Sequence, residues 1–525
     1  MKKYLFIALA AMGFAACESA QENATPGQNG ELEQSYIAVS FSADDMGTRA
    51  DEVFDLGTTE ERAVKCAHFF FFDGNDNPFK IDGTNSWLRV GVEDIENATN
   101  NEEPNVSDVK TVMAIKNYKG EYPSQIVAVL NMGGALASTY TLDALCESLV
   151  NIKGQDGAFV MSNSVYAEEG QKLEINSSVL TPANIGKTPE EAKQNAVTIY
   201  VERLAAKVLV NAEGDNNGKV AKAYEVGEIG GQKVYAKITA WDFYNEFEDS
   251  RLVKDIDPSW TSGAVGFPWN NEAYYRSYWA VTPERAFPAD NMVSYNTLSK
   301  KLAQAYYCGE NTLANKADKT EVVLKAQFVK EGGSNVEVAT WLAYSYLGKE
   351  NLLTAVANSL ANQIYYKEGN EYKSITPADL KVVEANQTNP NTDAVLKAYH
   401  VFFQLADNNA KEWYLYSATD GYVAKANDQI NVVLGGVEPA LLYEGGHAYY
   451  RTYIKHLGVD ESVAELGVVR NHSYVVNVTK ITGFGTPVYN GNTHVVPETP
   501  EDFTTFVAAD VRILSWRIVE NDYEI

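Results

Sequence analysis

Apolar and polar positions alternate with a period of two along much of this chain, the signature of half-buried β-strands. The pattern is densest at the C-terminal end, in Phe506-Val-Ala-Ala-Asp-Val-Arg-Ile-Leu-Ser-Trp-Arg-Ile-Val519, which is β-branched, aromatic and free of Gly and Pro. Its alternation changes phase midway. Val507, Ala509, Val511 and Ile513 fall on one face, and Leu514, Trp516 and Ile518 on the other. One register cannot bury both sets against a single sheet, so a bulge near Ile513-Leu514, or separate docking of the two halves, is expected. Upstream lies a polar tether, residues 490–502, with two prolines. A sticky strand on such a leash is either the closing edge strand of its own sheet or a strand meant for a neighbour.

The same reading places a short strand at Tyr36–Phe41, with Ile37, Val39 and Phe41 to one side. Cys66–Phe72 and Ile126–Leu130 read as buried strands, and Met161–Asn163 as a strand edge. Thr141–Leu149 reads as a short amphipathic helix with Thr141 as its N-cap. Ala196–Val210 is a candidate strand pair at a domain junction, with Glu202 and Arg203 in a structural ion pair or hydrogen-bonding corner. Val234–Tyr244, Val322–Val329 and Val469–Ile481 are further strands. Asn296–Tyr307 and Val338–Ile364 carry helical spacing, the latter interrupted by Gly348. The stretch 332–409 reads as an insertion into the β-scaffold.

At 525 residues the chain exceeds one ordinary domain, so two domains plus processing segments are expected. Lys2 and Lys3 precede an apolar run, Tyr4–Phe14, and then Ala15-Ala16-Cys17. That is a secretory signal, too short to span a bilayer. The Cys after two alanines resembles a bacterial lipobox, which implies cleavage before Cys17 and lipidation of its thiol; the alternative is a plain signal peptide. Residues 18–33 form a polar linker. Arg49 and Ala50 sit in a polar loop, Ser42–Asp51, open to an Arg-directed protease. A cut there frees a whole strand.

The balance of 43 Lys+Arg against 70 Asp+Glu, a net −27, argues against nucleic acid or an anionic membrane as partner. Thirty-two Tyr and eight Trp suit core and sheet packing, and would equally serve a glycan site. No Gly-x-Ser-x-Gly elbow is present, and Gly214–Lys219 falls one residue short of a Walker loop. The six His have no metal-ligand spacing. His447 reads as a turn residue and His472 as a strand-surface residue. Asp73–Pro78 reads as a hairpin turn, because the sixth and twelfth places of a Ca²⁺ loop are held by Pro78 and Thr84. Cys66, Cys146 and Cys308 allow at most one disulfide, with Cys66 and Cys146 read as buried free thiols. No cofactor, metal or catalytic residue is assigned, and an enzyme is the least favoured class.

Several of these motifs follow one another in a specific order: the signal with Cys17, the strand before Arg49, Val201-Glu-Arg-Leu-Ala-Ala-Lys-Val208, Val468-Val-Arg-Asn-His-Ser-Tyr474 leading into Gly485-Thr-Pro-Val488, and Ile513-Leu-Ser-Trp-Arg517. In this order they resemble the shaft fimbrillins of type V pili of Bacteroidales, nearest to the major subunit of the minor fimbrium. The resemblance implies a mostly β fold of two tandem transthyretin-like β-sandwich domains with short helices and an insertion in the second. It implies a signal peptide at 1–16, a propeptide with a removable strand at 17–49, domains at 50–195 and 196–525, and a donor strand at about 506–519. It also implies export as an outer-membrane lipoprotein, cleavage after Arg49 by an Arg-specific protease, and growth of an extracellular pilus by donor-strand exchange, supporting adhesion and biofilm formation. The implied partners are further copies of the chain, anchor and tip fimbrial subunits, that protease, and host or bacterial surface receptors.

The residues give this account a physical form. Removing Met1–Arg49 deletes the Ile37/Val39/Phe41 strand and leaves an unpaired sheet edge. Val507, Val511, Ile513, Leu514 and Trp516 of another copy are candidates to refill it by β-augmentation. Five large apolar side chains, each worth roughly 1.5–3 kcal/mol, outweigh three before the tether's ordering entropy is counted. Two other readings stay open. An accessory or tip subunit would lack one of the two strands. A glycan-binding surface lipoprotein would stay uncut at Arg49 and gather its aromatics on one exposed face.

Overall fold

A computed structural model describes residues 32–42, 57–91, 96–99, 107–118, 121–134, 136–164, 177–214, 219–256, 280–284, 287, 293–384, 400–407, 410–456, 466–492 and 507–514. The fold is mostly β, with short helices. Its first sandwich is organised around Cys66–Phe72, all seven residues of which are buried. Such a continuous apolar run requires cover on both faces. Ala67, Phe69 and Phe71 pack into one core with Ile126, Ala128 and Leu130. Phe70 and Phe72 pack into another with Val127, Val129 and Leu145. Leu145 is supplied by the expected helix, Leu142–Glu147, whose N-cap Thr141 accepts a hydrogen bond from the Ala144 amide.

The sheet runs Trp87–Gly91, Cys66–Phe72, Gln125–Leu130, Met161–Asn163, Val197–Arg203, Leu32–Ser42, Ser107–Tyr118, Glu96–Thr99. Its two halves share the first core: Ile37, Val39, Met113 and Ile115 meet Phe69, Phe71 and Ile126 there. Met161–Asn163 is therefore interior, not an edge, paired on both sides. Its shortness hid this, since three residues carry no legible alternation.

Leu204 and Ala205, both fully buried, lead from Val197–Arg203 into Ala206–Ala212, a strand of the second sandwich. The expected strand pair at the junction is thus two strands in two different sheets. A four-stranded sheet runs Ala305–Cys308, Ala206–Ala212, Ser473–Ile481, Val507–Leu514. It faces a five-stranded sheet, Tyr224–Ile229, Gln232–Tyr244, Glu321–Lys330, His447–Tyr453, Thr486–Pro487. Val208, Val210, Tyr474 and Val476 from the first meet Trp241, Leu324, Phe328 and Tyr450 from the second.

Asn296–Tyr307 is not a helix. Lys300 exchanges backbone hydrogen bonds with Trp241 in both directions, 2.9 and 3.0 Å, which ties the segment alongside a strand, and Ala305–Cys308 is itself a strand. Leu302 supplies core contacts from a turn closed by Ala303 at positive φ (56°) and Tyr306 from the strand that follows, so their spacing imitates a helix.

Glu321–Lys330 and His447–Tyr453 are neighbours in the sheet, yet the chain between them builds a lobe with its own core. One sheet runs Tyr344–Leu347, Val338–Trp341, Ala440–Tyr443, His400–Leu405, Leu380–Glu384; the other runs Glu371–Ser374, Ile364–Glu368, Trp413–Ser417, Gly421–Lys425. Helices Lys349–Leu360 and Asn427–Gly435 complete it, through Leu352, Val356, Leu360, Ile430 and Leu434. Helical structure in 338–364 begins only after Gly348. The preceding hairpin turns at Leu342 and Ala343, both at positive φ (48° and 63°), a conformation that closes a tight hairpin but that apolar spacing does not signal.

Candidate functional site

The removable-strand residues lie in the interior of the first sheet. Leu32–Ser42 pairs antiparallel with Ser107–Tyr118, from Leu32 opposite Tyr118 to Phe41 opposite Val109. On its other side it pairs in parallel with Val197–Arg203, from Val39 opposite Val197 to Ser42 opposite Tyr200. Ile37 and Val39 are fully buried in the core, as their alternation implied. Burying two such side chains is worth roughly 1.5–3 kcal/mol each. Phe41 is placed by register alone, opposite Val109 and Ile199. The sequence reading missed Ala38, also buried, whose small side chain lies on the strand's other face. An alanine between two large apolar residues was the available signal.

The terminal strand, Val507–Leu514, pairs antiparallel with Ser473–Ile481 at the edge of the four-stranded sheet. Ile513 stands opposite Tyr474, Val511 opposite Val476 and Leu514 opposite Ser473. Tyr474, Val476 and Val478 are core residues. The register is continuous through Ile513-Leu514, so the bulge expected there is absent from the ladder. It falls instead between Val478 and Lys480 on the partner strand. The physical reason is visible in Ser473–Ile481: the buried positions Tyr474, Val476 and Val478 are followed by exposed Thr479 and Lys480 before buried Ile481. The extra residue is accommodated facing water. The phase change at Leu514 falls opposite Ser473, the first residue of the partner strand.

Cys17, Arg49, Ala50 and Trp516 lie outside the described residues.

Where the two sandwiches meet, charged groups are buried together. Arg203 Nε donates to the Glu61 carbonyl at 2.7 Å, and its Nη1 donates to Asn471 Oδ1 at 3.2 Å. Lys207 Nζ lies 3.0 Å from Glu61 Oε1, which also accepts from the Tyr307 hydroxyl. Burial alone would push the Glu61 carboxyl up, but hydrogen bonds from Tyr307, Lys207 and the Thr58 amide outweigh it and hold the group below the usual carboxylate range. Glu202 faces elsewhere, accepting from Ser164 Oγ at 3.3 Å and lying 4.0 Å from Arg470. So Glu202 and Arg203 are a structural corner, as expected, but not partners of each other, because neighbours on a strand point to opposite faces.

His472 is buried, with Nδ1 at 2.7 Å from the Arg470 carbonyl, and so is not the surface residue expected. The left-handed backbone of Asn471 (φ 56°) turns the chain just before the strand and breaks the alternation on which that reading rested. His447 likewise begins a strand instead of occupying a turn. Cys66 and Cys308 are buried thiols outside any disulfide among the described residues; Cys146 is likewise not in a disulfide but only half-buried. Asp73 forms the turn read from sequence, accepting from the Asn75 and Asn77 amides. Among the described residues no group of three His, Cys, Asp or Glu side chains is placed to hold a metal, and no helix is long and apolar enough to cross a membrane.

Residues 441–522 match the family model described as major fimbrial subunit protein type IV, fimbrillin, C-terminal. No curated protein matches the chain. Among solved structures the chain is similar to a fimbrilin (fimA) from Porphyromonas gingivalis W83, at 10% identity and a TM-score of 0.35, covering 93% of this chain and 98% of that one. A fimbrial assembly protein from Parabacteroides distasonis ATCC 8503 gives 12% identity, a TM-score of 0.29, and coverage of 75% and 100%. The tip fimbrial protein Mfa3 from Porphyromonas gingivalis gives 11%, 0.25, and coverage of 92% and 100%. The resemblance to fimbrillins is met in sequence over 441–522, the segment that carries His447–Tyr453, Ser473–Ile481 and the terminal strand.

Proposed function

We propose, from the fimbrillin resemblance of the C-terminal segment, that this chain is a structural subunit of a cell-surface fimbrium that polymerises by strand exchange between copies. The observation that carries the reading is the position of Leu32–Ser42. It is an interior strand, bonded on both sides and carrying Ile37 and Val39 into the core, yet it is followed within a few residues by the polar loop that holds Arg49. Cleavage after Arg49 leaves a slot between Ser107–Tyr118 and Val197–Arg203, with two rows of backbone donors and acceptors in need of partners. The terminal strand is suited to fill it. It is tethered by a polar segment and bonded to its own domain along one edge only. Head-to-tail filling is a heterologous contact that does not close, so it makes a filament.

On this reading the precursor is lipidated at Cys17 and carried to the outer membrane, and it cannot polymerise while its own strand fills the slot. Cleavage is the switch. The resulting pilus is extracellular, supports adhesion, and joins anchor and tip subunits at its ends. Mass spectrometry of filaments sheared from the cell surface tests this directly. The chain is expected to begin at Ala50; filaments whose subunits retain Ile37–Phe41 would overturn the reading.

A further inference from the structure

The lobe between Glu321–Lys330 and His447–Tyr453 carries a surface that neither assembly strand uses. In its four-stranded sheet the inner face supplies Ile364, Trp413 and Leu415 to the lobe's core. The register puts the remaining alternate positions on the other face. Tyr365 lies opposite Tyr414, Tyr416 opposite Tyr422, and Lys367 opposite Tyr372. Five tyrosines therefore share the outer face. Tyr372, Tyr416 and Tyr422 are 37%, 41% and 39% exposed, unusually open for rings this large.

The rings are organised. Tyr372 from one edge strand stacks on Tyr422 from the other, with centroids 3.8 Å apart and planes parallel. Tyr365 meets Tyr422 edge-on at 5.0 Å, and Tyr414 meets Tyr372 edge-on at 5.0 Å. Tyr416 lies 4.8 Å from Tyr422. Rings braced in this way lose little further freedom when a ligand lands on them, the property that makes tyrosine effective in binding surfaces.

We infer that this tyrosine face is a binding platform for a neutral oligosaccharide. A pyranose ring has a face of C–H groups carrying slight positive charge and a rim of hydroxyls. The negative face of a phenol ring matches the first, and phenol hydroxyls and neighbouring charged side chains match the second. Lys367 stands opposite Tyr372 on this face, and Glu412 accepts from the Tyr414 hydroxyl at 3.3 Å. Charge points to a neutral ligand. Residues 364–374 and 412–425 hold Lys367, Lys373 and Lys425 against Glu368, Glu371, Glu412 and Asp420, nearly balanced in a chain of net −27. A proline-rich peptide needs rings splayed apart into a groove. Here the stacked pair closes that gap, while Tyr372, Tyr416 and Tyr422 each stay more than a third exposed to a ligand lying across them. The inference does not rest on the assembly reading, and it assigns the lobe a role in adhesion.

The test uses the full-length monomer and isothermal titration with cellohexaose, maltohexaose, xylohexaose and hexa-N-acetylchitohexaose, beside a polyproline peptide. At least one sugar is expected to bind. Tyr372→Ala with Tyr422→Ala should weaken it about tenfold or more, about 1.4 kcal/mol, while Tyr372→Phe with Tyr422→Phe, which keeps both rings, should weaken it much less. Ala424→Arg is a second probe that leaves every ring in place. Ala424 is exposed and lies opposite Tyr414 on the same face, so a bulky cation there should block binding without unfolding the sheet. Binding of none of the four sugars, equal binding by the arginine variant, or loss of only peptide binding in the variants would overturn the inference.

Discussion

Arg470 grips Glu310 from two nitrogens, Nε and Nη2 donating to Glu310 Oε2 at 3.1 and 3.0 Å, with both side chains buried. Arg470 Nη2 also donates to the Arg251 carbonyl at 2.6 Å, and its backbone amide donates to Glu310 Oε1 at 3.3 Å. The pair thus ties the turn before Ser473–Ile481 to the segment after Ala305–Cys308. Removing Glu310's charge leaves buried Arg470 with Glu202, 4.0 Å away and not hydrogen-bonded to it, as its remaining nearby carboxylate. Glu310→Gln should therefore destabilise the second sandwich by about 3–5 kcal/mol. Urea unfolding followed by tryptophan fluorescence measures this, and a loss below about 1 kcal/mol would mean that Glu202 or entering water takes over the compensation of Arg470.

His68 gives a pH signature to the first sandwich. It lies in the all-buried strand Cys66–Phe72, and burial, aided by the Arg89 charge, lowers its pKa from 6.5 to about 4. The unfolded chain then binds more protons than the folded one between these values. Stability from this residue is complete above about pH 6.5 and falls as pH drops towards 4, below which it levels off. The expected loss is a few kcal/mol, at about 1.4 kcal/mol per pH unit. His68→Phe should flatten that part of the curve, because among the described residues the imidazole Nδ1 has no hydrogen-bond partner for the ring to lose. Urea midpoints at pH 7 and pH 5 decide it: an equal pH dependence in the variant would put the titration elsewhere.

Arg49→Ala tests the switch itself. On the strand-exchange reading the uncut chain keeps Ile37 and Val39 in the slot and accumulates as lipid-anchored monomer. Electron microscopy of cells producing the variant should show surface protein without filaments. Filaments of normal length would show that the slot does not need to be emptied.

The legible parts of this chain were those in which burial is one-sided or total. Ile37 and Val39 alternate with smaller or polar residues, Tyr36, Ala38 and Ser40, and are buried; the Phe69–Phe72 run admits no exposed face and has none. The corner at Glu202 and Arg203 was readable as structural because charges beside Leu204-Ala205-Ala206 must be paired to be buried. What could not be read depends on partners distant in sequence. Glu61 meets Tyr307 across 246 positions and Arg203 meets Asn471 across 268, and no local pattern records either contact. The tyrosine face left a local trace, Tyr414-x-Tyr416, but Tyr365 and Tyr366 are adjacent and only one belongs to it. Composition alone does not say which tyrosines face water.

The terminal strand gives the most decisive test. Val507–Leu514 pairs with its own sheet at an edge, so deleting 506–525 exposes one row of Ser473–Ile481 backbone groups that water can satisfy. Were the strand an integral part of its domain, the apolar positions opposite Tyr474, Val476 and Val478 would be lost from a packed surface, and melting temperature should drop steeply. Were it a donor, the Ala50 form lacking 506–525 should melt close to the intact Ala50 form but fail to elongate. It should still accept a terminal strand from an intact subunit, and so shorten filaments when mixed in at low ratio. Ile513→Asp with Trp516→Asp separates the two cases further, since an unpaired charge forced into a slot costs several kcal/mol, whereas on a solvated strand it costs little. Melting of the cleaved monomer and filament length by electron microscopy are the measurements. A large fall in melting temperature on deletion, with no capping of intact subunits, would show that the strand serves its own sheet, and exchange through it would be excluded.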